Sequence, residues 1–238
     1  MKKILLSSIL AVGLVVSSVP SVFAASDDIP YLNDILQMQP DVTSDELLAD
    51  VESIAKETGN SQEEILEQIY KELKNDANLA ENENRLSGGS GGTVPVGTST
   101  KGNFFYTDSQ TAYLNHGHVG LYYASSTIVE SVPSAGVRKI STSNRLVDKG
   151  GACVKSVTTS TANRNGAANW AYSQIGQKYS YNFATNRSTG HNGAKNCSKL
   201  IWSAYKLNGN LDLDKNKGLG VYPRDVRDAS GTKLVRNI

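Results

Sequence analysis

Apolar positions follow three different rhythms along the 238 residues, and each rhythm predicts a different structure. Ile4 to Val16 is an apolar-rich run behind Lys2 and Lys3. Farther on, Leu47, Leu48, Val51, Ile54 and Ala55 repeat at helical spacing, and Ile65, Leu66, Ile69, Tyr70 and Leu73 do the same. Each stripe follows a helix-start signature, Thr43-Ser44-Asp45-Glu46 and Ser61-Gln62-Glu63-Glu64, in which a hydroxyl and a carboxylate three residues apart satisfy free backbone N–H groups. Gly59 ends the first helix. Two such small stripes must bury against each other or against the rest of the chain. Beyond Asn75 the polar stretch to Arg85 loses its period, and Ser87-Gly88-Gly89-Ser90-Gly91-Gly92 (87–92) reads as a flexible linker and domain boundary.

Past Thr93 the period shortens to that of strands. Val119 to Tyr123 and Thr127 to Val132 flank Ala124-Ser125-Ser126 as a hairpin, Val137 to Ile140 follows the Pro133 to Gly136 turn, and Ala152 to Val157 adds a further strand. Helical spacing then returns in Ala167, Ala168, Ala171 and Ile175, ending at Gly176, and in Leu200, Ile201, Ala204 and Leu207, ending at Gly209. The predicted class is α+β, with an antiparallel sheet packed on helices in residues 93–238 and a small acidic two-helix segment in residues 25–86.

Composition adds a compartment and a division of charge. The apolar run, followed by Pro20 and Val22-Phe23-Ala24, has the form of a secretory signal spanning 1–24, cleaved after Ala24. It falls short of the roughly 18 residues that cross a bilayer. The mature protein is therefore expected outside the cytoplasm, without a transmembrane segment. Between Asp27 and Leu86 there are 16 acidic and 4 basic residues, whereas from Ser87 onward there are 18 basic and 7 acidic. Halves of opposite sign attract at low salt, and the basic half favours polyanions such as wall polymers. No nucleic-acid recognition motif accompanies that charge. With 2 Cys and 3 His in no ligand spacing, neither a disulfide scaffold nor a zinc site is expected, and no cofactor is implied.

The chemistry concentrates around one cysteine. Asn196 is a good N-cap, so Cys197 opens a helix, where unpaired N–H groups and the dipole favour a thiolate, as do Lys195 and Lys199. The bland alternatives are a packed small hydrophobe or a Cys153–Cys197 bridge. A cysteine nucleophile needs a base, and His118 lies between Gly117 and Gly120 at a strand start. If Ala124 centres the hairpin, Glu130 faces His118 and orients its ring; a turn at Ala124-Ser125 places Ser131 there instead. His116 either lines the groove on the same strand face or is a solvated loop-end residue. His191, on a glycine-rich polar loop, is a candidate lid residue, and Cys153 reads as a packed strand residue.

Gly117-His118-Val119-Gly120-Leu121-Tyr122, Ile128-Val129-Glu130-Ser131-Val132-Pro133 and Asn196-Cys197-Ser198-Lys199-Leu200-Ile201-Trp202 together resemble the circularly permuted papain-fold amidases of the YiiX/YaeF type, relatives of the NlpC cell-wall peptidases. The resemblance runs from about Phe104 to Tyr222, and its mark is the order base, acid, cysteine. It implies a permuted papain-like (NlpC-type) domain with a Cys-His-Glu site at Cys197, His118 and Glu130. Tyr179, in Gly176-Gln177-Lys178-Tyr179, resembles an active-site tyrosine that would bind an oxyanion with the Cys197 N–H, the alternative being a core tyrosine. Lys199 departs from the family, whose members often carry an acid there, and this leaves the substrate class open. The implied activity is hydrolysis of amide or peptide bonds, in cell-wall peptides, through an acyl-enzyme. Acyl-chain transfer or ester hydrolysis, and a non-catalytic surface-binding role, are the alternatives. The acidic segment is expected to fold back as a detachable pro-region, or else to serve as a solvated spacer.

Overall fold

The computed structural model describes residues 29–87, 91–108 and 115–238; the leader at 1–24 and residues 88–90 of the glycine linker lie outside them. Three helices come first: α1 (Leu32–Met38), α2 (Ser44–Thr58) and α3 (Gln62–Ser87). The sequence predicts only two, because α1 is seven residues long and buries just Leu32 and Ile35, too little to show a period. α2 and α3 start where expected. Thr43 Oγ1 accepts from Glu46 N at 3.2 Å, and Ser61 and Glu64 cap each other reciprocally. α3 also runs through the stretch that seemed aperiodic. Its inward positions there are Asp76 and Ala80, both 5% exposed, so the buried face persists while hydropathy fails to register it.

The remaining elements are β1 (Thr93–Pro95), β2 (Phe104–Thr107), β3 (His118–Ala124), β4 (Thr127–Val132), β5 (Gly136–Ser141), β6 (Leu146–Asp148), β7 (Ala152–Val157), α4 (Thr161–Ser173), α5 (Cys197–Leu207), α6 (Pro223–Asp228) and β8 (Thr232–Asn237). Six strands form one antiparallel sheet in the order β5-β4-β3-β2-β7-β8, while β1 and β6 pair separately. The central strand β2 is invisible to periodicity, since all four of its residues are buried and nothing alternates. On one face, Phe104, Tyr106, Val119, Leu121 and Val129 join the core under the helices, with β3 against α4 and α5, β4 against α5 and β2 against α6. Ala167, Ala168 and Ala171 keep α4 thin enough to lie close to the sheet. The other face buries Phe105, Tyr122, Ile128 and Val154 under Val96 and Val147 from the β1 and β6 region.

The acidic helices belong to the first of these cores. Leu47, Val51, Ile65, Leu66, Ile69 and Leu73 join the apolar cluster that contains Phe183, Val221, Tyr222 and Val226. Their carboxylates meet the basic half at specific places. Glu72 accepts from the backbone N–H groups of Leu219 and Gly220 at 3.0 and 3.1 Å. Arg224, 2% exposed, reaches Asp76 at 3.5 Å and Glu83 at 2.9 Å, and Arg227 meets Glu83 at 2.6 Å. Salt screens such buried pairs poorly.

Removing one partner of a buried pair strands the other charge, at a cost of about 3–5 kcal/mol. Arg224→Ala should therefore lower the unfolding free energy by about that amount in urea melts. Raising the salt to 1 M should leave most of the wild-type stability in place.

Candidate active site

The start of α5 is fixed before any catalytic role is considered. Asn196 is the N-cap, and its Oδ1 accepts from Lys199 N at 3.0 Å and from Asn186 Nδ2 at 3.2 Å. Its own Nδ2 donates to Asn182 O, while Ser198 Oγ donates to Val221 O at 2.6 Å. Upstream, Ser131 Oγ on β4 donates to Lys195 O at 2.6 Å, and Lys195 N donates to Lys178 O at 3.1 Å. Cys197 is thus held at a helix N-terminus beside the sheet, with no exposed surface. Both cysteines are free thiols, which rules out the Cys153–Cys197 bridge in this structure.

His118 opens β3 directly after Gly117, whose φ of +75° suits glycine and where a Cβ would stand 2.6 Å from the Tyr106 hydroxyl. Its Nε2 lies 2.8 Å from Glu130 Oε2. The partnership matches the sequence reading, but the register does not. Leu121 faces Val129, and Tyr122 faces Ile128, so the same register carries Glu130 opposite Gly120, two residues along from His118. The hairpin turns at Ser125-Ser126, neither of the two turns considered from sequence. Glu130 reaches the imidazole diagonally on the same face, past a residue with no side chain. Gly120 is required there because a Cβ would come within 2.4 Å of the Phe105 ring.

Glu130 is fully buried and triply held. Arg138, its cross-strand partner on β5, donates to Oε1 from Nε and Nη2 at 3.1 and 2.8 Å, and Arg145 Nε donates to Oε2 at 2.7 Å. Burial pushes this carboxyl upward, but the hydrogen bond and charge of His118, with the two arginines, bring it down to about 2. Burial likewise pushes His118 down, and the charge and hydrogen bond of Cys197, followed by those of Glu130, overcome it and raise the imidazole to about 9. With Nε2 facing Glu130, the other ring nitrogen is left for the sulfur. The arrangement sets a base held in its charged form beside the Cys197 sulfur.

Tyr179 interacts electrostatically with Cys197, and its buried hydroxyl has no hydrogen-bond partner among the described residues. Burial pushes the phenol up, so it keeps its proton and has a donor to spare. That is what an oxyanion site requires. His116 does something different from either sequence expectation. It is 2% exposed, bonds Asp76 of α3 through Nδ1, and packs between Phe183 and Tyr222, so it is a structural clamp just before His118. His191 lies 3.0 Å from Ser203 Oγ and stacks on Trp202, without reaching the thiol. Cys153 is half-buried on β7 opposite Tyr106, and burial pushes its thiol up. Sequence reasoning missed Arg138 and Arg145. The first was missed by one position, since a Pro133 to Gly136 turn would set Glu130 against Lys139, whereas Gly136 already pairs with Val132 and brings Arg138 opposite.

Residues 102–232 match the family model described as permuted papain-like amidase enzyme, YaeF/YiiX, C92 family. The chain belongs to this permuted papain-like amidase family. It is 46% identical over 213 residues to the uncharacterized protein YycO of Bacillus subtilis (strain 168), covering 87% of this chain and 86% of that protein. A crystal structure from Escherichia coli O157:H7, described as the metalloprotein yiiX, aligns with a TM-score of 0.45 at 15% identity over 59% of this chain and 98% of that one. Among the described residues no group of three or more His, Cys, Asp and Glu side chains is placed to hold a metal ion. Membership makes the chain a cysteine amidase or peptidase at family level. In this amidase the permuted order is visible in the connectivity, for the sheet strands bearing His118 and Glu130 precede the helix bearing Cys197.

Two titrations follow from this geometry. His118 should stay protonated far above the ordinary 6.5, with a midpoint near 9 in imidazole nitrogen NMR, and Cys197→Ala should lower that midpoint because the sulfur is the leading upward influence. The stability from this group is full below the unfolded imidazole value and fades as pH rises through about 9. The contribution of Glu130 is present above 4.5 and fades as pH falls through about 2.

Proposed function

We propose that the protein is an exported cysteine hydrolase that cleaves amide bonds in cell-wall peptides through an acyl-enzyme. The observation that carries the reading is the buried His118–Glu130 bond at 2.8 Å, with the Cys197 sulfur on the imidazole's other side at the start of a helix. In this scheme the Cys197 thiolate attacks the amide carbonyl. The Cys197 backbone N–H and the Tyr179 hydroxyl stabilise the oxyanion, and the His118 imidazolium gives its proton to the departing amine. Neutral His118 then takes a proton from water as that water attacks the thioester, which releases the acid and restores the thiolate. Glu130 accepts from Nε2–H throughout, and Arg138 and Arg145 keep it ionised for that task.

The leader-like run at 1–24 supports export, and the basic balance after Ser87 supports a polyanionic wall as the setting. We further read the acidic helices as a lasting part of the catalytic unit. They share its core, and the similarity to YycO spans more of the chain than residues 93–238 could supply. A 93–238 chain that gained activity, most strongly at low salt, would instead favour an inhibitory pro-region.

Digestion of purified peptidoglycan, with products read by mass spectrometry beside a lipid panel, tests the substrate class. New amine and carboxyl termini are expected from the wall peptides, whereas release of fatty acyl groups alone would overturn the reading. Cys197→Ala and His118→Ala should each reduce turnover at least about a thousandfold while keeping the fold, and Glu130→Gln should lose less because an amide oxygen still accepts from the ring. Wild-type turnover in Cys197→Ala would remove the assignment.

A further inference from the structure

Among the described residues three cations are almost fully buried, Lys195, Lys199 and Arg224, and only Arg224 has an acid partner. Arg145 meets Glu130, Arg224 meets Asp76 and Glu83, and Arg187 meets Asp212 and Asp214. Lys195 and Lys199 are each 1% exposed, yet neither forms an ion pair among the described residues. Their partners are neutral. Lys199 Nζ donates to Thr189 O at 2.8 Å and sits 4.5 Å from the Trp202 ring centre, while Lys195 Nζ donates to Gln174 Oε1 at 3.2 Å and to Gly193 O. Burial depresses Lys195 to about 8, and burial together with the charges of Lys195 and Arg187 depresses Lys199 to about 7.

Both lysines line one cavity of about 200 Å³, which reaches Asn186 and Asn196, the N-cap residue immediately before the nucleophile. Glu46 and Asp50 of α2 form its far wall. Asp50 accepts from Asn182 and Thr185, Glu46 is exposed at the rim, and neither forms an ion pair with the lysines among the described residues. Two adjacent cations out of water with no anion are costly, and a cavity between them and the helix start offers a place for the missing charge.

We propose that this cavity is a carboxylate subsite of the active site, which holds an acid group of the substrate against Lys199 and Lys195. The substrates are then peptides carrying a carboxylate side chain or terminus close to the scissile amide. The subsite rests on the amide-cleavage reading for its place in the reaction, but the binding stands apart from turnover. Its volume suits a side chain of glutamate size, and Asn186 and Asn196 supply neutral polar walls around it.

Calorimetry on the mature chain carrying Cys197→Ala, which prevents turnover, tests it with acetyl-Ala-Glu-amide against acetyl-Ala-Gln-amide. The acid peptide should bind at least about tenfold more tightly, the value of one charge-assisted hydrogen bond. That preference should vanish in Lys199→Met and shrink in Lys195→Met. Glu46→Gln, at an exposed position, keeps the idea testable should Lys199→Met fail to fold: it should tighten the acid peptide about twofold through loss of one repelling charge and leave the glutamine peptide unchanged. Equal binding of the two peptides overturns the subsite, as does a preference that survives in a folded Lys199→Met. Stronger binding of glycerol phosphate than of the acid peptide overturns the carboxylate assignment. Failure of Cys197→Ala to stop peptidoglycan cleavage would remove the hydrolase reading and leave these binding outcomes untouched.

Discussion

A carboxylate with no exposed surface keeps its charge only where the protein supplies several donors and opposite charges, and Glu130 is such a group. Three cationic side chains converge on it from three elements: His118 from β3, Arg138 from β5, and Arg145 from the turn before β6. The first two are brought there by the sheet order β5-β4-β3, which places the strand of Glu130 between theirs. The strand pairing is therefore also the condition for the chemistry. An ionised Glu130 holds the imidazole ring beside Cys197 and helps keep it positive.

The same strand sets the position of the nucleophile. Ser131, the next residue along, points to the opposite face and fixes Lys195 O, two residues before Cys197. Two adjacent residues of β4 thus serve base and nucleophile from opposite faces of the sheet, as the alternation of a strand demands. The acidic helices extend this hold outward. Asp50 binds Asn182, whose carbonyl accepts from the Asn196 side chain, and Asp76 binds His116, two residues before His118. Each arm of the site has a carboxylate of the N-terminal helices behind it.

Much of this was legible in the sequence wherever a local rule has one outcome. The capping residues gave both helix starts, and Asn196 gave the helix N-terminus at Cys197. His118 and Glu130 were paired correctly from a register that was off by two, because a shift of two preserves the face and Gly120 leaves the diagonal open. Where the argument ran out, burial had erased the pattern. β2 is buried throughout and shows no alternation, and the inward face of α3 beyond Leu73 is built from Asp76 and Ala80. His116 looked like a groove residue or a solvated end because its partner lies 40 positions earlier in the chain. A long-range hydrogen bond leaves no trace in spacing.

The two charged halves make sense once their charges are sorted by what they meet. Attraction between a solvated acidic segment and a basic domain would be diffuse and would weaken within a Debye length. Here carboxylates at 72, 76 and 83 land on backbone N–H groups and on two largely buried arginines, inside an apolar seam that screening does not reach. Charge on this face is used up in folding. The lysines flanking Cys197 are the contrast, because they are equally buried and have only neutral partners. Arg224, the other cation buried this deeply among the described residues, is paired with acids, and leaving the two lysines without one near the start of the nucleophile's helix is the pattern expected of charge kept for something that arrives from outside.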